Sequence, residues 1–182
     1  MSVTATGKGL VGIFDAINDL MEKEVLVGIP HGEGRDDADG MTNAQLYYLH
    51  EKGSPINNIP ARPTLIPGIA SVQDKVANHL CRAVDAALAG NPEGVERQYN
   101  IAGVVAVNAV RLYFVEGNLA PLSMATIKAR ARRGRKGARA YLKQVDSGDT
   151  PDEGLVKPLI DTAEMRKSIT YVIRKRGRDG ET

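Results

Sequence analysis

The sequence predicts an α+β fold: a small antiparallel β-sheet packed against several helices, including a long helical hairpin, with extended loops and arms. Three observations lead there. Long stretches repeat apolar residues at helical spacing, two short runs read as strands, one β-rich near the start and one alternating near the end, and clusters of Gly, Asp and Pro separate them. The 182 residues, 42% hydrophobic and 25% charged, fit a single domain over 1–182. Aromatic residues make up only 4% and Trp is missing, so Val, Ile, Leu and Ala must build the core.

Leu10, Ile13, Phe14, Ile17, Leu20 and Met21 share one helical face and Asp15, Asn18, Asp19 and Glu22 the other, which predicts an amphipathic helix. Glu24 to Ile29 is a β-rich run stopped by Pro30 and reads as a strand. Residues 31–41, rich in Gly and Asp, read as a mobile loop. Its acids lack the alternating ligands and closing Glu of a calcium loop, so solvation is the better reading.

Thr42 to Lys52 reads as a helix with Leu46, Tyr47, Leu49 and His50 for burial and Gly53 as its stop. Prolines between Pro55 and Pro67 argue against helix and central strand and predict an extended path that clamps onto a neighbour. Beyond Pro67, Ile69, Val72, Val76, Leu80, Val84 and Leu88 mark one long helix. Asn91 then caps a second, with Pro92 in its first turn. The tight break predicts an antiparallel hairpin. The second helix is apolar around much of its circumference from Ile101 to Val110, which predicts a subunit contact through Val104, Val107 and Val110.

Ser123 caps a further helix that runs into a basic stretch, and residues 145–154 read as a loop, so that 128–154 forms a basic arm. Asp161 and Glu164 have capping-box spacing. Ile169, Tyr171 and Ile173 alternate with Thr170, Val172 and Arg174, a strand that should pair with Val25–Ile29. Residues 175–182 read as a mobile tail.

The net charge is only +2, but the first sixty or so residues lean acidic while Lys128 to Lys143 contains no acid. Cys81 is alone, so no intramolecular disulfide forms. The start of the chain lacks the pattern of a signal peptide, and no apolar run approaches the roughly twenty residues of a membrane span. His31, His50 and His79 fall in different elements and make no zinc site. Cys81 reads as a small buried hydrophobe without a base to activate it. No catalytic, cofactor or metal constellation emerges, and the expectation is a protein that is not an enzyme.

Two phrases carry a resemblance. One is His50-Glu51-Lys52-Gly53 followed by Ile59-Pro60-Ala61-Arg62-Pro63-Thr64-Leu65-Ile66-Pro67. The other is Lys157-Pro158-Leu159-Ile160-Asp161-Thr162, continuing to Val172. With the order of elements between them, they resemble the tail-completion (neck, head–tail joining) proteins of tailed bacteriophages. The resemblance implies a small α+β virion subunit, made in the host cytoplasm and assembled into a homo-oligomeric ring, expected to be a hexamer. It would contact the connector or stopper on one side and the tail terminator or tail tube on the other, with no enzyme activity. This chain departs from the family in its acidic loop, its basic stretch and Thr64, where members commonly carry a hydrophobic residue.

Candidate interface residues are Arg62, Pro63 and Ile66 beside the three valines. Arg62, held between prolines, can fork onto a carboxylate or backbone carbonyls and reads as a structural or interface anchor. Lys128, Arg132, Arg133, Arg135, Lys136 and Arg139 form the basic cluster. On one continuous helix Lys128, Arg132, Arg135 and Arg139 would form a stripe, weakened by Gly134 and Gly137. Such a stripe could meet phosphates of genomic DNA in the channel or dock on an acidic neighbouring subunit. The alternative to a neck subunit is a small basic nucleic-acid-binding or regulatory protein using 128–143.

Overall fold

The computed structural model describes residues 8–30, 40–160 and 164–176. The readings placed on 31–39, on the Asp161 cap and on 177–182 lie outside the described residues. The chain divides into two compact units: Met1–Gly28, Ile69–Ala109 and Thr170–Thr182 form the first, and Ile29–Gly68 with Val110–Ile169 the second.

In the first unit, α1 (Lys8–Met21) leads into β1 (Lys23–Gly28), which pairs antiparallel with β2 (Thr170–Lys175). Lys23 lies opposite Lys175, Val25 opposite Ile173 and Val27 opposite Tyr171. The expected α+β class and its two-stranded sheet therefore stand, with inward Val25 and Ile173 packing on the helices. Lys175, read as the start of a mobile tail, belongs to the sheet with Arg174: Arg174 Nε meets Glu24 Oε1 at 2.8 Å and Lys175 Nζ meets Glu22 at 3.5 Å.

The helix expected after Pro67 is two helices. α3 (Leu65–Ala70) starts before the proline and α4 (Gln73–Leu88) follows a break at Ser71-Val72. Pro67 is compatible because first-turn residues have no intrahelical acceptor for an N–H. α5 (Pro92–Glu116) is uninterrupted, and the Asn91 side chain accepts from Gly94 N–H at 2.8 Å as the predicted cap. α4 and the start of α5 form the hairpin. Its core is Ala83, Ala87, Val95 and Tyr99, against which Ala16 and Leu20 of α1 pack. Small alanines thus define the buried side of α4, while Leu80, Val84 and Leu88, expected inside, are open. Phe14, Ile17 and Met21 of α1 are likewise exposed.

In the second unit, α2 (Asn43–Lys52) opens with a complete capping box between Thr42 and Gln45. Pro55–Asn57 makes one 3-10 turn, and an extended path then runs to α3. Tyr47 stacks on Phe114 with ring centroids 5.9 Å apart. Ser123 caps α6 (Met124–Arg132), as its sequence predicts. The segment read as a basic arm is instead a packed helical hairpin. Gly134, at φ +87°, turns α6 back into α7 (Lys136–Asp146), and Ile127, Ala138, Tyr141 and Val156 form its core. Gly137 lies against the Leu155 carbonyl, where any Cβ would collide. α8 (Glu164–Ser168) precedes β2.

Candidate functional site

The phrase that begins at His50 and the one that begins at Lys157 meet around one cleft of about 650 Å³ in the second unit. Pro60 and Arg62 come from the first phrase, Leu159, Glu164 and Met165 from the second. His50, Pro121, Ser123 and Arg130 complete much of the wall.

Arg62 is only 6% exposed, and its guanidinium forks onto backbone: Nε donates to the Ala120 carbonyl at 2.7 Å and Nη2 to the Pro121 carbonyl at 2.9 Å. Arg130, also buried, donates to the Lys157 carbonyl at 3.0 Å. Lys157 Nζ in turn donates to the Val115 carbonyl at 2.7 Å. These cations tie loop carbonyls and, at Val115, a carbonyl in the last turn of α5, none of which has a partner within a helix or sheet. Burial lowers the affinity of Arg62 for its proton. The same desolvation, with the Arg62 charge beside it, pulls His50 below the usual imidazole range. His50 Nδ1 is buried with no hydrogen-bond partner among the described residues, so a proton there finds no acceptor.

Thr64 is fully buried, and its hydroxyl has polar partners. Its hydroxyl is 2.9 Å from the Tyr47 hydroxyl and 3.3 Å from Glu51 Oε2. Burial raises the Tyr47 pKa well above the ordinary phenol range, so its proton stays available for this pair. Leu159 holds φ +59°, a conformation costing a non-glycine residue about 1 kcal/mol.

A second concavity, about 440 Å³ and apolar, lies in the first unit. Val25 and Val27 of β1, Val76, Leu80 and Val84 of α4, and Tyr99, Ala102 and Ala106 of α5 line it. Cys81 borders it and is exposed, which corrects its reading as a buried hydrophobe. Its place on α4 explains this, because Ala83 and Ala87 face the core.

The interface candidates separate. Val107 and Val110 are 5% and 0% exposed and belong to the chain's own core; Gly68 packs against Val110. Arg62 is internal too. Pro63, Ile66 and Val104 are exposed. The basic residues do not form the stripe expected of one helix, because Gly134 breaks it. Lys128 and Arg132 lie on α6 and border a shallow depression with Ala131 and Leu142. Lys136 and Arg139 lie on α7, where Arg139 Nε donates to the Ala131 carbonyl at 3.2 Å. Arg133 and Arg135 sit in the turn, and all six are exposed. Among the described residues no group of His, Cys, Asp and Glu could hold a metal, and no helix is long and apolar enough to cross a membrane.

Tyr47 is buried as its sequence position predicts, but the bonds made by its hydroxyl, by Glu51 and by Lys157 carry no mark in the sequence. Each acts on a partner at least thirteen positions away, and no short-range pattern marks such a pair.

No family model, no curated protein and no solved structure matches this chain.

Proposed function

We propose that this chain is a structural subunit of a tailed-phage particle, acting in a homo-oligomeric ring at the head–tail junction between the connector or stopper and the tail terminator or tail tube. It would reside in the virion neck after assembly in the host cytoplasm. The observation that carries the reading is how much large apolar surface stays open. Ile56 is 95% exposed, Ile66 69% and Tyr48 67%, and Phe14, Met21, Leu88, Val104 and Leu112 are open as well. Isolated exposed apolar residues are ordinary, but this many suit a subunit completed by neighbours. The resemblance in the two phrases supports the same reading, and their polar residues serve loop closure and helix capping.

Light scattering across a concentration series, alone and with neck components, tests it. A ring-sized species is expected; a monomer that joins neither itself nor neck components overturns it.

A second reading rests on the acid-free surface of α6 and the start of α7: a nucleic-acid contact through Lys128, Arg132, Lys136 and Arg139. It predicts duplex binding that falls steeply with salt and is lost when Arg132 and Lys136 become Ala. Unchanged binding in that double variant removes it.

A further inference from the structure

The two-stranded sheet has an unpaired edge that opens onto the apolar groove. The Arg176 N–H donates to the Glu22 carbonyl, which makes Glu22 and Arg176 a mutually bonded pair in the antiparallel register. Bonding alternates along such a ladder, so Glu24, Leu26 and Gly28 also turn their N–H and C=O groups towards β2. Lys23, Val25 and Val27 must then aim theirs away from it. These backbone groups have no protein partner among the described residues. The groove borders this same side: residues of β1 line it and none of β2 does. By the same alternation Tyr171, Ile173 and Lys175 aim their backbone groups away from β1, so β2 presents a second free edge of equal length.

We propose that the free edge of β1 pairs with the free edge of β2 in a second copy of this chain, making a sheet continuous from subunit to subunit. This rests on the ring reading above. Two features select β2 of another copy as the occupant.

The first is charge. Glu22 and Glu24 flank or occupy β1, whereas Arg174 and Lys175 end β2 and Arg176 follows it. Antiparallel pairing of β1 with the next copy's β2 sets the acids beside those cations. The intrachain pairs Arg174–Glu24 and Lys175–Glu22 already use this match. Pairing β1 with another β1 offers the acids only Lys23, against three successive cations around the end of β2.

The second is direction. Strands in the order β2, β1, β2, β1 alternate down and up, so every copy keeps the same orientation. That is the head-to-tail relation from which a ring closes, whereas like-with-like pairing at β1 gives a twofold dimer that leaves both β2 edges unused. A two-stranded sheet is also marginal by itself and gains from further strands. The neighbour would cover the groove beside Val27 and Leu80.

Backbone amide exchange, resolved to single residues, tests this on the wild-type chain, compared between the assembled species and the dilute monomer. The N–H groups of Val25 and Val27 are expected to exchange at least about tenfold more slowly in the assembly, the effect of roughly one added hydrogen bond or more. Val27→Pro removes an outward N–H and no bond to β2, so it should raise the concentration needed for assembly about tenfold. An assembly whose Val25 and Val27 amides exchange freely overturns the strand pairing and leaves the ring reading intact. So does a folded Val27→Pro protein that assembles like wild type. A wild-type chain that never assembles, alone or with neck components, overturns the ring reading and this inference together. Should Val27→Pro fail to fold, the wild-type exchange measurement decides by itself.

Discussion

Glu51 closes the start of a helix that begins well beyond its own: its Oε2 accepts from the Thr64 N–H at 2.8 Å, and its Oε1 from the Leu65 N–H at 3.1 Å. The carboxylate thus does for α3 what an N-cap residue ordinarily does from the adjacent position. It is negative at the end of the helix where the peptide dipole favours negative charge. The link also fixes the end of α2 to the start of α3 across the intervening Pro-rich path.

Glu51→Ala should lower stability by about 1–2 kcal/mol, since two N–H groups lose their acceptor and the buried Thr64 hydroxyl keeps only Tyr47. Glu51→Gln, which retains one acceptor oxygen, should cost less. Urea denaturation followed by circular dichroism measures both. Equal midpoints for wild type and Glu51→Ala would show that the cap contributes nothing.

Arg62 invites a substitution that preserves charge. Arg62→Lys keeps a cation in the wall of the cleft but cannot reach the Ala120 and Pro121 carbonyls as a planar fork. A loss of roughly 1–3 kcal/mol is expected, because at least one part-buried carbonyl is left unpaired. A thermal midpoint unchanged from wild type would mean that charge alone matters there.

What could be read from the sequence depended on whether the pattern was local. Strand parity was readable because Ile169, Tyr171 and Ile173 alternate with polar or exposed neighbours, and a period of two survives any tertiary context. The Asn91 and Ser123 caps were readable because each side chain bonds an N–H three positions on. The break between α3 and α4 was not: Ser71-Val72 carries neither Gly nor Pro, and the apolar spacing runs straight through it. In the basic stretch, Arg and Lys crowd the positions between Ile127, Ala131, Ala138 and Tyr141. The apolar contrast is thin there, and Gly134 looked like a weak point in one helix when it is the turn between two. The exposure of Leu80, Val84 and Cys81 marks a different limit. Periodicity identifies an apolar face, but which neighbour covers it is a tertiary matter, and on α4 the alanines hold the core. The candidate cleft was half readable: its two phrases stood out, while the fork of Arg62 onto Ala120 and Pro121 and the reach of Arg130 to Lys157 were not visible in either phrase.

Gly68 makes the close approach between α3 and α5 within the second unit. A Cβ there would stand 2.8 Å from Val110 Cα and 3.2 Å from its Cγ2. Backbone on the far side cannot rotate away as a side-chain tip could, so Gly68→Ala must push the helices apart. Its better helix propensity, worth up to about 1 kcal/mol, is outweighed by an overpacking cost of roughly 1–3 kcal/mol. A lower denaturation midpoint is expected, and a raised one would mean that the two helices separate at little cost.

His50 should set an acid limit on stability. Burial, reinforced by the Arg62 charge, lowers its pKa in the folded chain below the 6.5 of an unperturbed imidazole. Between the folded and unfolded values the unfolded chain binds more protons, so stability falls as pH drops. The contribution of neutral His50 is therefore fully present above about pH 6.5 and declines below it until the folded-state group itself protonates. The unpaired Nδ1 explains why no acceptor compensates the proton. Thermal midpoints measured at close pH intervals from neutrality into the mildly acid range should decline in wild type. The decline should be shallower in His50→Gln, which cannot take up the proton. A variant that tracks wild type through that range would show that His50 is not the source of the acid sensitivity.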